Sequence, residues 1–450
     1  MNNTIYSNLK KTIILALPVC FGQLGHVMVG VTDSIMVGHY GGTGSALGAL
    51  SLAACSLSNS LFSVVLVFGI GLAYGVTPLI ANADGQKDKV KISALFRNSL
   101  IIGGLSGIVL FAFLSGSSFL LRFLNQPKEV VELAIPYFNI LGFSLIPLML
   151  FLSLKQFAEG LSFTKQAMFI SLIANLINVG LNYLLIFGKF GFPELGLNGA
   201  GWATFISRVF MFILMFIYIK KSSYFIDYIV DIRLKMASLK IIAEILRISI
   251  PIGLQFVFEV GAFAFAAIMM GWLGTNELAA HQIAISIASV TYMMATGISS
   301  AATVRVGNAL GRNNNLELRN AGFGAFLIGL AFMLCCSILF ISFHDYLPFL
   351  FNDNSQVVKI ASSLIVIAAF FQLSDGTQVI GLGALRGISD VKMPAILTVL
   401  AYWVIGLPIA YVLGFVLDLG AIGIWYGLLI GLTFAAIMMF YRFYNKSKLV

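Results

Sequence analysis

Between Arg247 and Gly271 the chain runs for 23 residues with one ionisable side chain, Glu259. At about 1.5 Å per residue, such a run forms a helix long enough to cross a hydrocarbon core of about 30 Å. Water is absent from that core, so backbone N–H and C=O groups must find partners within a helix or a closed barrel. Barrel strands alternate apolar and polar residues, whereas the apolar runs here are continuous and about 20 residues long. Twelve can be placed, near 11–37, 47–80, 94–120, 133–154, 166–188, 197–219, 243–271, 279–304, 320–342, 356–382, 393–415 and 420–441. Only 10% of the 450 residues are charged, against about 25% in soluble domains. The expected fold is an all-α polytopic membrane protein with twelve transmembrane helices.

The net charge of +9 does not call for a nucleic-acid partner. With the N-terminus inside, 22 of the 27 Lys and Arg fall in cytoplasmic segments. The other face keeps Arg122, Lys128, Lys189 and Lys359, and Arg208 alone lies far from either end of a span. This bias predicts both termini in the cytoplasm. No cleavable signal peptide is visible, because the polar N-terminus leads directly into a full-length span. Cys20, Cys55, Cys335 and Cys336 lie in apolar runs without metal-ligand spacing and are expected to be small buried residues.

The chain repeats itself. Leu17-Pro18, Gly38, Gly41 and Ala46 fall on Ile250-Pro251, Gly271, Gly274 and Ala279 at an offset of 233. Ala81–Gly85 falls on Gly307–Gly311 at 226, and Glu159–Ser162 with Lys165 on Arg386–Ser389 with Lys392 at 227. The expected organisation is an N-terminal six-helix lobe over 1–219, a cytoplasmic linker over 220–240 and a C-terminal six-helix lobe over 241–450. Six spans per half make the lobes parallel repeats, a construction that places transporter sites between the halves. The Tyr, Ile and Phe within the linker suggest a stretch lying along the membrane surface, with a plain loop as the alternative.

Few acids are buried in the spans. A carboxylate in the middle of a membrane costs a few kcal/mol or more, so each is a functional candidate. Asp33 shares a helix stripe with Gly22, His26 and Val29. Glu259 shares one with Gln255, Ala262 and Ala266, and Asp375 has Gln372 and Gln378 three residues to either side. Small residues and amides beside a carboxylate suit a hydrated, cation-attracting face. Glu259 and Asp375 are expected to share a C-lobe site. Ser171, Asn175, Asn178 and Asn182 recur at intervals of 4, 3 and 4, drawing one polar stripe down a helix. That stripe must face protein, water or an ion, and interhelical hydrogen bonding is the alternative.

Asp33–Gly42 (DSIMVGHYGG), Val304–Gly311 (VRVGNALG), Gly383–Gly387 (GALRG) and Gly420–Trp425 (GAIGIW) resemble the multidrug and toxic compound extrusion (MATE) family, and within it the bacterial NorM-like branch. The resemblance covers nearly the whole chain. It implies a two-lobed, twelve-helix antiporter that expels small organic cations in exchange for Na⁺ or H⁺ by alternating access, in a bacterial plasma membrane. By the same resemblance, Asn178, Asn182 and Thr204 join Asp33 in an N-lobe cation site, where this chain has Asn182 in place of a second Asp. Glu259 and Asp375 would bind the coupling cation in the C-lobe, and Asp33, Gln255, Glu259 and Asp375 would face substrate. No cofactor is implied beyond the coupling ion, no catalytic residue is assigned, and a monomer is expected.

An ATP-driven pump would need a nucleotide-binding motif, and GxxxxGK[ST] is absent; an intramembrane metalloprotease would need HExxH or similar. The alternative that shares the architecture is a lipid-linked oligosaccharide flippase. Its pyrophosphate cargo calls for Lys or Arg inside the cavity, whereas the interiors of these spans, away from their ends, hold three acids and one Arg.

Overall fold

The computed structural model describes residues 2–41, 46–123, 126–229 and 237–449, with the side chains of 2–6, 26, 27 and 46 outside the description. Among the described residues, twelve helices are long and apolar enough to cross a membrane: α1 (Ser7–Gly38), α2 (Leu47–Gly85), α3 (Lys89–Phe123), α4 (Lys128–Gly160), α5 (Lys165–Phe187), α6 (Leu197–Lys221), α7 (Leu239–Leu273), α8 (Thr275–Gly311), α9 (Asn315–Phe343), α10 (Ser355–Gly387), α11 (Lys392–Val416) and α12 (Gly420–Leu449). All twelve expected spans are present. Most run past the apolar stretch into their polar flanks, because backbone hydrogen bonding continues where the hydrophobic signal ends. Of the linker over 220–240, residues 230–236 lie outside the described residues.

The duplication shows most clearly in the turns. Among the described residues, six that are not glycine have left-handed backbone angles, and they form three pairs at nearly the repeat spacing: Lys87 with Asn313, Ser162 with Ser389, and Phe190 with Asp418. The conformation costs an L-residue roughly 1–2 kcal/mol, so its recurrence at three matched turns is evidence of common local structure. The hydrogen bonds match as well. Asp88 caps α3 by accepting from the Lys91 amide at 2.9 Å, and Asn314 caps α9 by accepting from Glu317 at 3.0 Å. After α4 the Ser162 amide donates to the Glu159 carbonyl, and after α10 the Ser389 amide donates to Arg386, both at 2.8 Å.

Several spans are interrupted. Pro18 in α1 and Pro251 in α7 occupy matched positions, each removing one backbone donor from its helix. α2 breaks at Gly75 and α4 at Ser144, while α11 contains two π-helical segments, Leu400–Gly406 and Val412–Val416. Glycines allow the close approaches. A Cβ on Gly107 of α3 would lie 2.8 Å from the Ile146 Cα of α4, and one on Gly427 of α12 would overlap the Ala410 backbone of α11.

Contacts divide the chain into two compact units. One comprises Met1–Gln23, Asp84–Gln86 and Leu254–Val450, and the other Leu24–Ala83 and Lys87–Gly253. In the first, α8 packs along α10, and α10 along α9 and α12. One apolar cluster there includes Trp425, Tyr402 and Phe371. In the second, α3 packs on α4 and α5 on α6. The changeovers fall inside α1, at the end of α2 and inside α7, whereas the expected linker lies over 220–240.

Candidate functional site

Each unit holds a buried polar cluster. In the second unit, one turn separates Asn178 from Asn182 on α5, so both project from one face toward α1 and α6. Asp33, only 7% exposed, accepts from Asn182 Nδ2 at 2.5 Å and from Thr204 Oγ1 at 3.2 Å. Asn182 Nδ2 also donates to Asn178 Oδ1 at 3.2 Å, and Asn178 Nδ2 donates to Thr204 Oγ1 at 3.4 Å. The amide of Asn182 is thereby turned so that its Oδ1 is buried without a hydrogen-bond partner among the described residues. An orphaned carbonyl oxygen beside a carboxylate, a hydroxyl and a second amide is a donor set suited to a hard cation. The four residues that the resemblance grouped are together.

The rest of the polar stripe on α5 is only partly inward. Ser171 is buried and Asn175 half-buried, and a Cβ on Gly25 of α1 would lie 2.8 Å from Asn175 Nδ2. Gly25 therefore lets the amide close against α1. His26 was a candidate on the Asp33 stripe, and its side chain lies outside the described residues. Arg208, one turn beyond Thr204, donates to Ser144 Oγ at 2.5 Å and stacks over Phe62 with 5.5 Å to the ring centroid. Asp33 is within its electrostatic reach.

In the first unit, Glu259 of α7 and Asp375 of α10 are each 3% exposed. They line one cavity of about 230 Å³ with Phe263, Tyr292 and Phe371 among its walls. Gln255 Nε2 lies 3.5 Å from Glu259 Oε2, and Gln378 Nε2 lies 3.4 Å from Oε1, both as long donors. Each glutamine is oriented from behind. Arg386 Nη2 donates to Gln255 Oε1 at 3.1 Å, and Tyr402 OH donates to Gln378 Oε1 at 2.7 Å. Arginine has no acceptor, so the oxygen of Gln255 must face it and the amide N–H₂ must face Glu259. Tyr402 sits in the first π-helical segment of α11, a local geometry common at functional positions.

The two glutamines beside Asp375 thus separate: Gln378 turns to Glu259, whereas Gln372 accepts from Thr291 Oγ1 at 2.7 Å. Tyr402 and Arg386 were not singled out from the sequence. The first carries no polar pattern around it, while the second stands in the GALRG motif as a cytoplasmic charge. Glu159 is a further buried acid, 3.8 Å from Lys155 on the next turn. It lies near the end of its apolar run and so reads as a flank. The expectation that all four cysteines are buried needs one correction, because Cys335 is exposed while Cys20, Cys55 and Cys336 are buried. Adjacent helix residues point about 100° apart, which lets Cys336 face inward while Cys335 faces out.

A duplicated set of membrane-spanning helices, with carboxylates held among amides and hydroxyls inside each unit, defines an integral membrane transport protein. The chain belongs to the MatE family, whose model matches residues 18–184 and 251–412. It is 34% identical over 443 residues to the probable multidrug resistance protein NorM of Agrobacterium fabrum (strain C58 / ATCC 33970), covering 97% of this chain and 94% of that one. It is 34% identical over 435 residues to the multidrug resistance protein MdtK of Proteus mirabilis (strain HI4320), covering 96% and 94%. The fold is similar to that of the eukaryotic MATE transporter AtDTX14, with a TM-score of 0.88 at 22% identity over 99% of this chain and 98% of that one. It is equally similar to an outward-facing multidrug resistance MATE transporter of the MOP superfamily, with a TM-score of 0.88 at 23% identity over 98% and 96%.

Proposed function

We propose that the protein is a multidrug antiporter that exports small organic cations in exchange for Na⁺ or H⁺. The observation that carries this reading is the pair of carboxylates, Glu259 and Asp375, sharing one cavity of a membrane-spanning bundle. Two acids that close to one space favour a cation between them and resist being charged together when it is empty. A coupling cation and an organic cation can therefore compete for the same charge, which is the requirement for exchange. Phe263, Tyr292 and Phe371 supply faces that suit the apolar and cationic parts of such a substrate. Asp33, Asn178, Asn182 and Thr204 form a second cation site, with Asn182 Oδ1 available as a ligand.

Gln255 and Gln378 hold Glu259 in place, and Arg386 and Tyr402 fix the glutamines. The protein acts as a monomer in a bacterial inner membrane with both termini in the cytoplasm, the orientation that the Lys and Arg bias favours. The flippase reading is weaker, because the acids around the cavity would repel a pyrophosphate. Uptake by purified protein in liposomes discriminates between them: fluorescent organic cations should move under a Na⁺ or proton gradient and lipid-linked oligosaccharide should not. Movement of the lipid alone would refute the proposal.

A further inference from the structure

Lys359 is one of only four Lys or Arg assigned to its face of the membrane, and the transport reading gives it no part. It belongs to a cavity of about 750 Å³ at the end of α9 and the starts of α10 and α12. These three helix ends lie on one side of the membrane, since α9 finishes where α10 begins and α12 runs in the direction of α10. The cavity is polar at its rim and apolar below it. Along α10 the lining goes from Ser355 and Lys359 through Ser362 to Val366 and Ile367, and Ile422 and Tyr426 of α12 complete the apolar wall. Tyr426 is 44% exposed, as expected of an aromatic side chain at the membrane interface.

The rim carries both signs of charge. Asp345 accepts from Ser362 Oγ at 2.7 Å and lies 3.4 Å from His344 Nε2, so one carboxylate oxygen is held in place while the side chain stays 70% exposed. Lys359 is exposed and makes no ion pair with any described residue. An anchored acid and an unpaired base above a membrane-depth apolar wall are complementary to a lipid that carries an anion and a cation in its headgroup.

We propose that this cavity binds a zwitterionic phospholipid with a primary ammonium, phosphatidylethanolamine in chemical class. The phosphate sits at Lys359, the ammonium donates to Asp345, and one acyl chain lies along Val366, Ile367 and Ile422. A quaternary ammonium has no N–H to offer Asp345, and an anionic glycerol headgroup places no positive charge there. The site therefore discriminates headgroups as well as holding a chain.

Native mass spectrometry on delipidated protein, given equal phosphatidylethanolamine, phosphatidylcholine and phosphatidylglycerol, tests this. The wild type should retain the ethanolamine lipid about fivefold over each of the others, the ratio expected for about 1 kcal/mol from one charge at a membrane surface. Asp345→Asn should erase the preference over phosphatidylcholine, Lys359→Gln should lower retention of all three, and Lys128→Gln, outside the cavity, should change neither. Equal retention of the three lipids by wild type, a preference for phosphatidylglycerol, or unchanged binding by Asp345→Asn/Lys359→Gln would overturn the proposal. Both substituted side chains are exposed, and a melting curve on each variant separates lost lipid from lost fold.

Discussion

The Tyr402–Gln378 hydrogen bond allows a double-mutant cycle with a predictable sign. Both side chains are fully buried, and the hydroxyl donates to Gln378 Oε1 at 2.7 Å. Tyr402→Phe keeps the ring and leaves that Oε1 without its donor, which costs about 1–3 kcal/mol for a buried orphan. Gln378→Leu strands the Tyr402 hydroxyl for a similar cost and removes one of the amides beside Glu259. If the two effects were independent, the double variant would lose about 2–6 kcal/mol. It should lose only about 1–3, because replacing both partners with apolar groups leaves neither orphaned, a coupling of about 1–3 kcal/mol. Equilibrium unfolding of the four proteins in mixed micelles measures this directly. Additivity within about 0.5 kcal/mol would show that the hydroxyl does not orient the glutamine, and the account of how Glu259 is held would fail.

Ser162→Gly and Ser389→Gly should each stabilise the protein by about 0.5–1 kcal/mol, since both residues carry a left-handed backbone that glycine adopts without penalty; a fall in melting temperature for either would contradict the matched-turn reading. In a cysteine-free background on intact cells, a membrane-impermeant thiol reagent should reach a cysteine at position 189 and miss one at 448. Strong labelling at 448 would reverse the proposed orientation.

Much of the architecture could be read from residue order because the membrane imposes a length. A run near 20 apolar residues has few other solutions, and the twelve expected spans are twelve helices. The repeat was visible for a second reason: the last helical residues before two matched turns, Ala81–Gly85 and Gly307–Gly311, share a pattern, and each is followed two residues on by a left-handed residue, Lys87 and Asn313. Spacing alone put Asn178 and Asn182 on one helix face; that this face meets Asp33 and Thr204 was implied by the family resemblance and not by the spacing. The surroundings of Glu259 were less legible. Tyr402 reaches Gln378 from a helix whose own pattern is uniformly apolar, and only the π-helical turn and the packing of α11 bring it there. Arg386 looked like a boundary charge because its position along α10 gives its depth but not the direction of its side chain. Periodicity distinguishes faces of one helix; which helix each face meets is a property of the packed chain.

The most direct test of the central claim is transport of an organic cation by reconstituted Glu259→Gln, Asp375→Asn and the double variant, driven in turn by an imposed Na⁺ gradient and an imposed proton gradient. Each single substitution should abolish gradient-driven movement under whichever ion drives the wild type, with the protein still folded by its melting curve, and the double should be no worse than either. If both single variants exchange at the wild-type rate, the two carboxylates do not couple ion to substrate, and the function assigned to this cavity is wrong.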